Sequence, residues 1–173
     1  GSRYGGASIS VDNRELYIAA SNPVPSNPEN IDIFGVKYEV VGRTAAGGFA
    51  YEWGDLMPLP AAVNSPDGWE AQPALAADGQ SLFFSAVKAG SIPDADGNPT
   101  MDLMVARRRD DGSWLPAESL PELNTAANEK SPFLHPDGKT LYFSSDRKPG
   151  GGGYDIWYSR LGADGTWGTP VNV

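Results

Sequence analysis

The sequence contains no cysteine. That removes disulfide scaffolds, thiolate-bound zinc and every thiol nucleophile. A chain of 173 residues can build a core without such staples, and its length fits one domain. Histidine is almost missing too. His135 stands alone, which excludes multi-histidine metal centres and leaves a Ser-His-Asp hydrolase a single candidate base. Cationic residues are scarce, with 13 Lys+Arg against 22 Asp+Glu and a net charge of −9. Such a surface repels phosphate backbones, so nucleic acid and anionic membranes are not expected as partners. No stretch approaches the roughly 20 apolar residues of a membrane span, so direct membrane insertion is not expected. The opening Gly1-Ser2-Arg3-Tyr4-Gly5-Gly6 has no apolar signal core, and any export signal is expected to lie outside this sequence. What is plentiful is glycine (21), proline (15) and aromatics (Trp 5, Tyr 7, Phe 6). That mixture favours many short strands joined by tight turns.

Three segments repeat the same order of motifs. The first holds Asp12-Asn13, Leu16-Tyr17-Ile18, Asp32-Ile33-Phe34 and Trp53. In the second these become Asp78-Gly79, Leu82-Phe83-Phe84, Asp102-Leu103-Met104, Asp111-Gly112 and Trp114. The third has Asp137-Gly138, Leu141-Tyr142-Phe143, Asp155-Ile156-Trp157, Asp164-Gly165 and Trp167. Spacing drifts from unit to unit while the order inside each unit holds, as expected when one loop varies in length. Asp-Gly supplies the positive φ of a tight antiparallel connection. Each unit therefore reads as four strands, which in the third fall near Pro132–His135, Thr140–Ser144, Asp155–Arg160 and Trp167–Val173. No segment shows a capped helical stripe. Repeated four-stranded antiparallel units are the blades of a β-propeller. The expected fold is all-β: three blades, at about 4–60, 69–123 and 128–173, forming part of a propeller or half of a six-bladed ring made by two chains.

The run from Ser131 to Arg147, with Gly150–Tyr158 after it, resembles the WD40-like propeller repeat of the TolB and PD40 kind. Within that group it is similar to the version in OmpA-linked periplasmic proteins of Bacteroidetes, one of which tethers type IX secretion and gliding machinery to peptidoglycan. The second unit matches with a longer middle loop, and the first is degenerate, with Val11-Asp12-Asn13 in place of Pro-Asp-Gly. The resemblance implies a periplasmic protein associated with the outer membrane. It also implies protein partners in the cell envelope, and peptidoglycan reached through an anchor domain absent from this chain. A homodimer is the alternative way to complete a ring.

By the same resemblance, the second-to-third and fourth-to-first strand connections share one face of the propeller, and the Asp-Gly turns share the other. The loops Ser21–Ile31, Lys88–Met101 and Asp146–Tyr154, with the connections Asn64–Glu70 and Asn124–Lys130, then form the variable face, where recognition usually resides. Candidate partner-binding residues there are Trp69, Glu70, Lys88, Asp94, Asp96, Glu129, Lys130, Arg147 and Lys148. Asp32, Asp102 and Asp155 recur in each unit and read as structural acceptors of backbone or arginine hydrogen bonds. Trp53, Trp114 and Trp167 recur at blade ends and read as packing between sheets. The loop Asp94–Asp102 loosely resembles a Ca²⁺ loop but lacks its distal glutamate. Gly150–Gly153 fits a turn better than a phosphate loop. Arg107-Arg108-Arg109 reads as a solvated strand end, neutralised by Asp110-Asp111. His135 occupies a position held by Ser10 and Ala76 in the other units, so it carries no catalytic assignment. No catalytic residue, metal or cofactor is expected, and the chain reads as a non-enzymatic interaction scaffold. The alternative is a glycan-binding or glycan-active propeller using carboxylates and aromatics at the channel mouth.

Overall fold

An aspartate makes five of the tight turns. Asp12, Asp78, Asp111, Asp137 and Asp164 each accept the N–H two residues on, from Arg14, Gln80, Ser113, Lys139 and Thr166. The intervening residue adopts positive φ, which glycine tolerates and which Asn13, at 59°, tolerates best among side-chain-bearing residues. The degenerate first unit thus keeps its turn by a second chemical route.

In the computed structural model, which describes residues 4–173, these turns join strands into three antiparallel sheets, with no helix among the described residues. The first sheet orders β1 (Tyr4–Ile9), β2 (Glu15–Ser21), β3 (Ile31–Arg43) and β4 (Phe49–Trp53), with β5 (Met57–Pro58) also paired to β3. The second orders β6 (Trp69–Leu75), β7 (Ser81–Val87), β8 (Asp102–Arg107) and β9 (Glu118–Ser119). The third orders β10 (Glu129–Leu134), β11 (Thr140–Ser145), β12 (Asp155–Arg160) and β13 (Val171–Asn172). The chain is all-β, an arc of three propeller blades.

Three details depart from the sequence reading. The first sheet has five strands because β3 runs on into an additional hairpin, Tyr38–Trp53, before the short β5. The last strand of each blade shrinks to two residues; ahead of it, Trp114 and Trp167 meet Arg108 and Leu161 in isolated bridges. The first strand of the third blade starts at Glu129 and continues through Pro132, because the register shifts between Lys130 and Phe133. An equivalent bulge lies between Ala71 and Ala74. Such bulges accommodate the positive φ of Gln72 (54°) and Ser131 (53°) and the prolines that follow them.

Two cores lie between the sheets. Tyr17 and Ile33 of the first blade meet Leu82, Phe84, Met104, Ala106 and Trp114 of the second. Phe83, Leu103 and Val105 of the second meet Leu141, Phe143 and Trp157 of the third. Alternation sends neighbouring residues of β7 and β8 into different cores, which is why Ser81–Val87 reads as a nearly continuous apolar run. Trp114 sets its edge against Tyr17, and Trp167 against Phe83, with ring centroids 6.0 and 6.5 Å apart. Arg108 is no solvated strand end. It crosses to the first blade, pairs with Glu15 at 2.7 Å and lies over Trp114, because its position just after β8 faces that blade.

Candidate interaction face

The long connections at one end of the sheets are hydrogen-bonded to one another in two groups. Asn27, in the β2–β3 loop, donates its amide to the Gly68 carbonyl at 3.0 Å. Met101, ending the β7–β8 loop, donates its N–H to Asn128 Oδ1 at 3.1 Å, and Asn128 donates its own N–H to Asp146 at 2.7 Å. Asn64 and Asn124 clamp the blade they leave: each amide group bonds both the N–H and the C=O of one residue, Ile33 and Leu103 respectively. Loops bound in this way are displayed by the sheets rather than trailing from them.

Beneath this face lie two buried acids that a surface reading missed. Glu70 and Glu129 are both 0% exposed. They stand at the start of β6 and β10, each twelve residues before the leucine of the next strand, Leu82 or Leu141. Glu129 is fully matched: Ser145 and Thr125 donate hydroxyls at 2.8 Å, the Thr125 N–H donates at 2.8 Å, and Arg147 pairs at 3.0 Å. Arg147 also donates to the Leu123 carbonyl and lies over Phe143 and Trp157. Burial pushes the Glu129 carboxyl above its ordinary value, against the opposing hydrogen bonds and Arg147. At Glu70 the Ser65 hydroxyl donates at 2.9 Å, and the other carboxylate oxygen is buried without a partner. Desolvation raises Glu70 to about 7, and the nearby Asp32 carboxylate adds to the rise while Lys88 opposes it.

The other candidates fall into distinct settings. Trp69 lines a hollow of about 660 Å³ with Pro23, Pro28, Ile31 and Val87. Lys88 lines a second of about 390 Å³ with Asp67, Ser91, Pro93 and Pro99, and Arg147 and Lys148 a third of about 510 Å³. Asp94 accepts the N–H groups of Asp96 and Asn98, which closes its own turn, and Asp96 is exposed in that turn. Lys130 lies over the Tyr154 ring at 3.3 Å, and Lys148 donates to the Gly152 carbonyl at 2.9 Å. Glu70 and Glu129 offer no surface of their own, so they bear on this face only through the loops they hold. Among the described residues, no three acidic or histidine side chains converge as a metal site would require.

The repeat acids accept local donors, none of them arginine. Asp32 takes the amides of Asn22 and Asn30, Asp102 the Ile92 N–H at 3.0 Å, and Asp155 the Gly151 N–H at 2.8 Å. The last contact depends on glycine, since a Cβ on Gly150 would fall 2.2 Å from the Asp155 carboxylate. His135 accepts the Asp137 N–H at 3.1 Å within its turn. Asp137 itself, holding the Lys139 N–H and the Thr140 hydroxyl, is lowered to about 2. Of the three repeat tryptophans, Trp114 is 6% exposed and Trp53 is 45% exposed. The latter lies tilted against Tyr38 in the additional hairpin instead of packing between sheets.

Comparison with solved structures bears on the fold. Over 99% of its length the chain is similar to a puromycin-hydrolysing peptidase from Mycobacterium tuberculosis, with 20% identity and a TM-score of 0.57, covering 23% of that chain. Over 97% it is similar to TolB from Acinetobacter baumannii, with 15% identity and a TM-score of 0.51, covering 32% of that chain. The fold is a TolB-like propeller arc. The chain spans about a quarter to a third of these two structures, and at such identities the likeness speaks for the fold alone. No family model matches the sequence, and no curated protein does.

Proposed function

We propose that the chain is a non-enzymatic scaffold of a bacterial envelope complex, capturing a protein partner through the face formed by its long loops. In this reading it works in the periplasm, associated with the outer membrane, and an OmpA-like domain elsewhere in the parent protein provides contact with peptidoglycan. One observation carries the proposal. Connections of unequal length, from different blades, are hydrogen-bonded to one another above rigid sheets, with hollows beside Trp69, Lys88 and Arg147. Variable loops held on a fixed frame suit recognition, and a tryptophan edging a hollow suits the anchor of a protein interface. The buried acids Glu70 and Glu129 serve as loop supports beneath that face. This fits a scaffold better than a pair of carboxylates presented to a substrate.

The test is capture from solubilised envelope fractions by the immobilised chain, compared with Trp69→Ala and with a chain whose 88–101 loop is replaced by a short Gly-Ser turn. A captured partner should weaken by about tenfold or more with either change, the scale of an interface anchor, while circular dichroism stays that of the parent. Identical capture by all three chains would refute the loop face as the binding surface.

A further inference from the structure

Two hollows among the long loops adjoin, with Val87 in the wall of both. Pro23, Pro28 and Trp69 line the first, and Pro93, Pro99 and Lys88 the second. The four prolines are exposed and Trp69 is half-buried. These walls come from the first and second blades, so the hollows do not depend on what lies beyond either end of the arc. The corresponding place between the second and third blades is sealed by the chain itself. There Asn128 and Asp146 stand where the second blade has Trp69 and Val87, and the asparagine donates to the carboxylate at 2.7 and 3.2 Å. The opening is thus a property of the second blade's own residues.

The chemistry of the walls selects the occupant. In the β2–β3 loop, Val24 and Asn27 exchange backbone hydrogen bonds at 3.1 and 2.9 Å, and Asn22 donates to the Asn30 carbonyl at 2.9 Å. In the β7–β8 loop, Ser91 donates to the Lys88 carbonyl at 2.9 Å and Asp94 to that of Asn98 at 2.8 Å. Trp69 and Val87 are register partners of each other. With those groups paired, the walls do not present the row of free N–H and C=O groups that strand addition uses. A helix anchors along one continuous face, which suits a single trough rather than two hollows with a residue between them. A polyproline II segment keeps its backbone solvated and returns a side chain to one face every third residue, about 9 Å along. Such segments dock on aromatic-lined grooves, and Trp69 among prolines is a wall of that kind. Charge adds a direction: Glu29 borders the first hollow, whereas Lys88 borders the second together with Asp67.

We infer that the two hollows receive a proline-rich segment of the partner protein in the polyproline II conformation. One proline packs on Trp69, and a second, three residues away, seats against Pro93 and Pro99 across Val87. A lysine or arginine beyond the first proline lies toward Glu29. The net charge of −9 favours the approach of such a basic-flanked segment. This rests on the loop face being the capture surface, and it gives that surface a ligand class.

The experiment is fluorescence polarisation of the 173-residue chain with labelled peptides of about ten residues, roughly 30 Å long as polyproline II. Each peptide carries Pro-X-X-Pro with a lysine or arginine beside the first proline. Matched sets replace both prolines with alanine, or the basic residue with glutamate. The parent set should bind, with a loss of about tenfold for the alanine set and about threefold for the glutamate set. Trp69→Ala should weaken binding by about tenfold or more. Glu29→Lys, at an exposed position, should turn the preference toward the glutamate set while circular dichroism stays that of the parent. Val11→Glu, exposed and remote from both hollows, should leave the affinity unchanged. No binding up to about 1 mM, equal binding by the alanine set, or indifference to Trp69→Ala would each overturn the inference. Bound peptide should also displace the partner captured from envelope fractions. If Trp69→Ala abolishes that capture while no peptide binds, the loop face stands and the proline-rich ligand falls. If peptides bind at Trp69 while capture ignores it, the groove stands and the envelope partner falls.

Discussion

The second and third blades carry the same buried glutamate, and the two sites differ in three neighbours. Arg147 of the third blade corresponds to Lys88 of the second, Ser145 to Ala86, and Thr125 to Ser65. Those changes take Glu129 from a carboxylate with every oxygen engaged to Glu70, whose second oxygen has no partner. Arginine presents several donors in a planar fork, whereas lysine presents one compact ammonium on a flexible stem. Here the fork reaches Glu129, Ser145 and the Leu123 carbonyl together. One framework thus holds both a satisfied and an unsatisfied acid, and the deficit in donors, more than burial itself, distinguishes them.

The largest effect should come from removing the fork. Arg147→Ala strands the Glu129 charge and should lower unfolding stability by about 3–5 kcal/mol, the usual cost of breaking a buried pair; urea titration measures it. A loss below about 1 kcal/mol would mean the pair behaves like a surface contact. Next is the pH response of the second blade. The folded state holds the Glu70 proton more tightly than the unfolded chain does, since its carboxyl is raised from 4.5 to about 7. Its contribution is therefore full below about pH 4.5 and is lost as pH climbs through about 7. Glu70→Gln should flatten that decline, gaining up to about 3 kcal/mol relative to the parent between about pH 4 and pH 8. Parallel stability curves for the two proteins would contradict it. A smaller effect is expected from supplying the missing donors: Lys88→Arg with Ala86→Ser should raise stability at about pH 8 by about 1–2 kcal/mol and shrink the pH slope, as read by the same titrations.

This pair also shows where sequence reasoning succeeds and where it stops. The turns and central strands were legible because their cause is local: an aspartate beside a residue of positive φ, then alternating apolar residues. The third blade's Asp155–Arg160 strand runs where its sequence places it. The last strands are shorter than the sequence suggests, which needed knowledge of which N–H groups pair. The buried acids were not recognised because glutamate ordinarily marks the surface, although their equal spacing from Leu82 and Leu141 was available. The additional hairpin also had a signal, in Tyr38 and Val40 alternating on one side and Phe49, Tyr51 and Trp53 on the other around Gly47-Gly48. Which tryptophans are covered was beyond sequence, since that depends on what lies against the next sheet.

The smallest effect concerns the residues just outside the two acids. Trp69 and Val87 are register partners at the end of the second blade, and they line the hollow beside the long loops. Their counterparts in the third blade are Asn128 and Asp146, where the carboxylate takes both the N–H and the side-chain amide of the asparagine. The same place is thus closed by an apolar pair in one blade and by hydrogen bonds in the other. Asp146→Val alone leaves the half-buried Asn128 without its acceptor and should cost about 1–2 kcal/mol. Adding Asn128→Trp restores a matched apolar pair, so the double variant should be less destabilised than Asp146→Val, as measured by thermal unfolding. If the double variant loses as much as the single, the two solutions are not interchangeable, and Asp146 matters chiefly through the loop that follows it.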